Sequence, residues 1–245
     1  MSLEKELNLA IKTAKEAGNY LRSVYRASSP EILIDKDKDI KLKEDLKSEE
    51  IILYYLSKSK YTIISEHTSK IFDSEFMWIV DPLDGSLNFS RGISNCAVSI
   101  ALWKGLEPLL GIIYDFNRDE VYYGSINKGA YLNEKKISVS SIKNKNNAII
   151  CTGFPSRLDY STENLLEFVK KVQDFKKVRI LGSASLSLAY VASGKAEVYY
   201  EKGIMLWDVA AGLVLVRSAG GNFKITKIGE NQFDVWASNG KINND

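Results

Sequence analysis

Apolar residues recur at three- and four-residue spacing from the start of the chain. Leu7, Ala10, Ile11, Ala14, Gly18, Leu21 and Val24 fall on one face of 3–26, with lysines and glutamates on the other. This spacing predicts an amphipathic helix. The pattern breaks over 28–44, a polar, charge-rich stretch centred on Asp35-Lys36-Asp37-Lys38-Asp39. That predicts a surface loop or ribbon, the kind of segment that often carries function. Leu46, Ile51, Ile52 and Leu56 restore the helical spacing over 45–58.

The period then changes. Segments 61–65 and 76–80 are short apolar runs of strand length, each followed by an acid. Segments 97–103, 109–114, 120–123 and 130–132 read as successive strands of an antiparallel meander. Beyond the Lys- and Asn-rich stretch 143–147, strands at 148–151, 178–181 and 197–200 alternate with helices at 162–175, 185–193 and 207–219. Short strands follow at 222–226 and 234–237. Helices beside a large sheet, then strand–helix alternation, predict an α+β part over 1–143 and an α/β part over 144–245.

Composition narrows the chemistry. The 245 residues are 45% hydrophobic and 26% charged, with net charge +2. This is an ordinary globular balance, and nothing in it marks a nucleic-acid partner. No run approaches the ~18 apolar residues of a membrane span, and the first residues lack an apolar signal region. Cytoplasmic residence is the default expectation. Cys96 and Cys151 stand in unlike contexts and read as buried small hydrophobes. His67 is the one histidine, which removes most zinc sites. A metal here would rest on oxygen ligands, as Mg²⁺ does.

The most informative stretch is Trp78-Ile79-Val80-Asp81-Pro82-Leu83-Asp84-Gly85-Ser86-Leu87-Asn88-Phe89. A buried strand reaches Asp81, Pro82 ends its ladder, and Gly85 permits a tight backbone. Asp81 and Asp84 can then face one space with the Leu83 carbonyl between them, which suits magnesium. The same residues also suit a plain Pro/Asp-Gly turn. Glu66, after the preceding strand, reaches that space if the two strands are parallel or cross at one end; by itself it reads as a surface acid. Trp207-Asp208 opens a helix closed by Ala219-Gly220-Gly221, where Asp208 by itself reads as an N-cap. Gly182-Ser183-Ala184-Ser185 reads either as a serine-capped turn or as backbone amides facing an anion.

Taken jointly, these residues resemble the inositol monophosphatase family. Asp81-Pro82-Leu83-Asp84-Gly85-Ser86 with Asn88-Phe89 is similar to its metal-binding signature. Trp207-Asp208-Val209-Ala210-Ala211 through Ala219-Gly220-Gly221 is similar to its second signature. The resemblance implies a layered αβαβα sandwich of the sugar phosphatase type, usually a homodimer, with two or three Mg²⁺ per site. It implies that Glu66, Asp81 and the Leu83 carbonyl hold one ion, and that Asp81, Asp84 and Asp208 share another. Asp45 would help hold a third ion or its water. Glu66 and Ser86 would orient and deprotonate the attacking water, with Asp84 and Asp45 completing the catalytic set. Asp84, Gly85, Ser86, Gly182, Ser183, Ala184, Glu201 and Asp208 would contact substrate. Two departures stand out: Ser86 replaces the usual threonine, and Lys41-Leu42-Lys43-Glu44 replaces small and hydroxyl residues.

The activity implied is Mg²⁺-dependent hydrolysis of a small sugar or cyclitol phosphate, with myo-inositol-1-phosphate leading, by metal-activated water. Fructose-1,6-bisphosphate is the rival, with Arg157, Arg179 or Lys202 to meet a second phosphate. A nucleotide 3′-phosphatase lacks an adenine-stacking motif. A non-catalytic binding protein would be expected to have lost one of Glu66, Asp81, Asp84 and Asp208, and all four are present.

Overall fold

A computed structural model describes residues 3–27, 31–36, 39–67, 74–154 and 160–244. Helix α1 (Glu4–Ala27) buries Ala10, Ala14, Ala17 and Leu21 completely, as its apolar spacing predicts. The charge-rich segment contains a hairpin of β1 (Ile32–Lys36) and β2 (Asp39–Leu42), while 37–38 at its centre lie outside the described residues. Helix α2 (Lys43–Leu56) begins two residues earlier than its apolar period suggests. Asp45, at its third position, accepts the Leu42 N–H at 2.7 Å and stabilises that first turn.

Among the described residues, seven strands form one sheet in spatial order. They are β3 (Thr62–Ser65), β4 (Phe76–Asp84), β5 (Ala97–Lys104), β6 (Glu107–Asp115), β7 (Glu120–Ser125), β8 (Gly129–Leu132) and β9 (Lys135–Ile137). β3 and β4 are parallel, and every later pair is antiparallel. The lysine-rich β9 carries no apolar alternation. It forms because a tight turn returns the chain onto β8, and its lysines suit an exposed edge. The five-residue helix α3 (Ser86–Ser90) follows β4 directly.

The remaining elements are β10 (Ile149–Thr152), α4 (Thr162–Val172), β11 (Lys177–Arg179), α5 (Ala184–Ala192), β12 (Val198–Met205), α6 (Leu206–Ser218), β13 (Asn222–Lys227) and β14 (Gln232–Ser238). Their strands order as β11-β10-β12-β14-β13. Only the first three are parallel, as strand–helix alternation predicts; β14 and β13 close the sheet as an antiparallel hairpin.

The layers are α1 and α2, the seven-stranded sheet, α5 and α6, the five-stranded sheet, then α4. This is the αβαβα sandwich that the sequence resemblance implies. Helix α6 buries ten of its thirteen residues, because it lies between two sheets and beside α5. Its close packing needs small residues. A Cβ at Gly212 would run into the Leu188 side chain of α5, and one at Gly111 of β6 would meet the Ala211 carbonyl at 2.6 Å. Cys96 and Cys151 are both buried and free, with thiols pushed up to about 12 by burial. No helix among the described residues is long and apolar enough to cross a membrane.

Candidate active site

The parallel pairing of β3 with β4 sets Ser65 beside Val80, so Glu66 and Asp81 follow at the same sheet edge. Beyond that point the structure corrects the sequence reading. Pro82 does not end β4. The strand runs on to Asp84 through a bulge: Asp81 faces Ser99 and Asp84 faces Ala97, three steps against two. Pro82 is tolerated there because a bulged residue owes no ladder donor. The extra residue also matters for aim. Residues three apart in a regular strand point to opposite faces, whereas here Asp81 and Asp84 line one cavity.

Gly85 then turns the chain with φ +85°, and any Cβ would sit 2.7 Å from the Asn95 carbonyl. Only glycine meets both demands. Ser86, first in α3, places its Oγ 2.9 Å from the Leu83 carbonyl and 3.2 Å from Asp45 Oδ1. The hydroxyl has one proton for these two acceptors, so its lone pairs are left for a further donor. The Leu83 N–H donates to Asp81 Oδ1 at 3.0 Å.

The turn before α5 decides between its two readings in an unexpected way. Ser183 is the N-cap, accepting the Leu186 N–H at 3.3 Å. The helix amides also face an anion, but that anion is Asp84. Its carboxylate accepts N–H bonds from Ser185 at 2.9 Å and Ala184 at 3.3 Å, plus both serine hydroxyls, of Ser183 and Ser185. A carboxylate at a helix N-terminus is stabilised by these donors and by the helix dipole. Asp208 is not an N-cap. Met205 holds that position, and Asp208 stands third in α6, hydrogen-bonded to Asp81.

One cavity of about 860 Å³ is lined by Glu66, Asp81, Leu83, Asp84, Gly85, Ser86, Gly182, Ser183, Ala184, Glu201 and Asp208. Every site position expected from the sequence therefore borders it except Asp45, which reaches it through Ser86. Lys41 is the one lysine or arginine among the described lining residues, against five carboxylates. Burial and then the charges of Glu66, Asp84 and Asp208 push Asp81 well above the usual carboxylate range. Asp208 is raised in the same way, by burial and then by Asp84, Glu66 and Glu201. Burial also raises Asp84, against the pull of its serine and amide donors. Asp45 and Glu201 each stand at about 7, chiefly through burial.

Such an arrangement is costly unless a cation or protons neutralise it. No three acidic, histidine or cysteine side chains among the described residues converge as a finished cage. The donor set is all oxygen and fits a hard cation.

Three supports were not singled out from the sequence. Helix α2 turns polar residues inward: Glu44, Asp45, Ser48 and Glu49 are buried. Ser48 Oγ donates to the Pro82 carbonyl at 2.8 Å, and Ser65 Oγ donates to Glu49, fixing the bulge and the end of β3. The Asn88 carboxamide donates to the carbonyls of Asn95 and Leu181, both at 2.8 Å, and so ties α3 to the turn before α5. Tyr199 donates its hydroxyl to Glu201 Oε2 at 2.7 Å. The one signal available beforehand was the acids of α2, which interrupt its inward face.

The chain is similar to known proteins in sequence and in fold. The family model described as the inositol monophosphatase family matches residues 2–245. The Nus factor SuhB of Xylella fastidiosa is 37% identical over 219 residues, covering 88% of this chain and 80% of the relative. An inositol-1-monophosphatase of Mesorhizobium japonicum is 36% identical over 221 residues, covering 88% and 83%. The crystal structure of the extragenic suppressor protein SuhB from Bartonella henselae superposes with a TM-score of 0.85 at 30% identity, covering 97% and 95%. A solved structure described as an inositol monophosphatase–fructose 1,6-bisphosphatase superposes with a TM-score of 0.77 at 27% identity, covering 98% and 95%. With a matching family model across almost its whole length and relatives of 37% and 36% identity, the chain belongs to the inositol monophosphatase family and is a phosphoric monoester hydrolase.

Proposed function

We propose that this protein hydrolyses the phosphate monoester of a small cyclitol or sugar, myo-inositol-1-phosphate first, with Mg²⁺ as cofactor. The observation that carries this reading is a cavity whose described lining holds five carboxylates and one lysine. A phosphate dianion is repelled from such a wall unless cations lie between them. Glu66, Asp81 and the Leu83 carbonyl would hold one ion, and Asp81, Asp84 and Asp208 a second. Bound there, Mg²⁺ supplies Lewis acidity toward the phosphoester and neutralises its charge.

The chain's own residues do the rest. Ser86, its O–H donated in a hydrogen bond to Asp45 or to the Leu83 carbonyl, accepts a hydrogen bond from the attacking water, and Glu66 takes that water's proton. Asp45 Oδ2 accepts the Leu42 N–H, and its Oδ1 stands 3.2 Å from the Ser86 hydroxyl. We therefore assign Asp45 to orienting Ser86 rather than to a third ion. Gly85 and Ser86 hold the phosphate, and Ala184 and Glu201 meet the ring hydroxyls.

A bisphosphate would need a cation away from the metals. Lys202 is tied to Glu167 at 2.8 Å, Arg179 lies exposed on the edge strand β11, and Arg157 is outside the described residues. Phosphate release from inositol-1-phosphate, fructose-1,6-bisphosphate and adenosine 3′,5′-bisphosphate, with Mg²⁺ and with chelator, tests the reading. We expect the first to be turned over fastest and only with Mg²⁺; no Mg²⁺-dependent release from any of the three would sink it.

We also propose a homodimer. Leu166 and Val169 of α4 are exposed apolar residues, as are Val178 and Ile180 at β11, which ends its sheet among the described residues; a second copy would cover such residues. Sedimentation at micromolar concentration should give twice the 27.5 kDa chain mass; a monomer there refutes it.

A further inference from the structure

We propose that Tyr199 is a positioning residue for substrate discrimination, holding the Glu201 carboxylate in the one orientation that reads a hydroxyl of the leaving group. The proposal rests on the phosphatase reading above and assigns a residue of its own. Tyr199 and Glu201 are two apart on β12 and share a face. Tyr199 is buried at 1% exposure, and its hydroxyl donates to Glu201 Oε2 at 2.7 Å. Burial and the neighbouring Glu201 charge raise the phenol, so it stays protonated as a donor.

Two further features fix the same carboxylate. Gly153 lies against it, so close that a Cβ there would stand 2.6 Å from Oε2 and 2.8 Å from Oε1. Directly after Glu201 the strand bulges: Glu201 faces Val235 and Ile204 faces Phe233, three steps against two, with the Gly203 N–H on Asp234 Oδ1 at 3.0 Å. Bulges beside active sites re-aim side chains. Here the bulge ends the regular ladder where Glu201 enters the cavity.

Glu201 also borders a second, smaller space. A void of about 20 Å³, bordered by Thr152, Phe168 and Glu201, lies beside the main cavity. It is roughly the size of one water. A Glu201 released by Tyr199 has that space to turn into, away from the substrate. The tyrosine bond thus leaves Oε1 as the acceptor presented to substrate. A polyol meets it, and an ester without hydroxyls gains nothing from it.

The test compares wild type, Tyr199→Phe, Glu201→Gln and the double variant on two esters, inositol-1-phosphate and p-nitrophenyl phosphate. Tyr199→Phe should lower kcat/KM for inositol-1-phosphate about tenfold, mostly through KM, the effect of one hydrogen bond. Its p-nitrophenyl phosphate turnover should stay within about twofold. The double variant should be no worse than Glu201→Gln alone, because both changes remove one interaction. Equal losses on both esters, or additive losses in the double variant, would mean that Tyr199 is merely structural. If Tyr199→Phe does not fold, Gly153→Ala, which presses on the carboxylate from the other side, must alter the ratio between the two esters; an unchanged ratio refutes the proposal. Wild type that hydrolyses neither ester overturns the phosphatase reading beneath it, a result distinct from an unchanged ratio.

Discussion

Asp84→Asn lowers phosphate release by at least about a thousandfold, which corresponds to ~4 kcal/mol of lost transition-state stabilisation. Asp84 is the acid that the bulge of β4 turns into the cavity beside Asp81, and it is held there by four donors at the start of α5. Asparagine keeps the shape. Its carbonyl oxygen can still accept an amide N–H, and its NH₂ can donate to a serine hydroxyl. What it removes is the charge, hence one anionic ligand of the proposed second ion. The fold should survive, because Asp84 also burdens its neighbours: its charge raises Asp81, Asp208 and Glu201. Losing charge-assisted bonds and losing that repulsion oppose each other, so the melting midpoint in chelator should move by only a few degrees. Steady-state phosphate release together with circular dichroism checks both halves. Activity within about tenfold of wild type would remove Asp84 from the site.

The second large effect is on stability. Without divalent cations the protein should lose stability as pH rises from about 5 to about 8, and Mg²⁺ should restore it increasingly over the same range. The sign follows from the direction of the shifts. Asp45 and Glu201 stand at about 7 in the folded protein, against ordinary values of 3.8 and 4.5. Asp81 and Asp208 are also raised well above the usual carboxylate range, by burial and then by the neighbouring acids. Between the ordinary and the raised values the folded chain binds more protons than the unfolded one, so unfolding becomes easier as pH rises. Below the ordinary values both states are protonated and the effect is gone.

A net cost of a few kcal/mol, at about 2–4 °C per kcal/mol for a chain of this length, lowers the midpoint by roughly 5–10 °C. Mg²⁺ at about a hundred times its dissociation constant returns ~2.7 kcal/mol. Its gain is larger at pH 8, because at pH 5 the ion must first displace protons. Differential scanning fluorimetry with chelator and with Mg²⁺ measures this directly. A chelated protein that gains stability across this range, or a Mg²⁺ shift that is equal at both ends, contradicts the site.

Much of this molecule could be read along the chain. The helix at 3–26 and the meander from 97 onward follow from apolar period alone, since neighbours on one face must be buried together. The four acids Glu66, Asp81, Asp84 and Asp208 could be named from their order and flanking residues. Each of them, read singly, has an ordinary explanation, and the local structure around them differs in part from that reading. Asp208 occupies the third helical position rather than the cap, because Met205 already has the extended backbone of a cap residue. Pro82 suggests the end of a strand, yet β5 continues to pair beyond it.

What the sequence by itself determined is the set of chemical parts: acids with oxygen donors only, a glycine where only glycine fits, a hydroxyl at position 86, and apolar periods that give two sheets and their helices. What only the tertiary structure decided is how those parts face one another. Asp84, not substrate, is the anion at the start of α5. Asn88 reaches the carbonyl of Leu181, ninety-three residues away. Tyr199 points at Glu201, and a helix of mixed pattern turns its acids inward onto the site. Periodicity reports which side of an element is buried, because that depends on near neighbours in sequence. Which donor meets which acceptor depends on a bulge, a parallel pairing and the stacking of layers, and these are set by the packing of the whole chain.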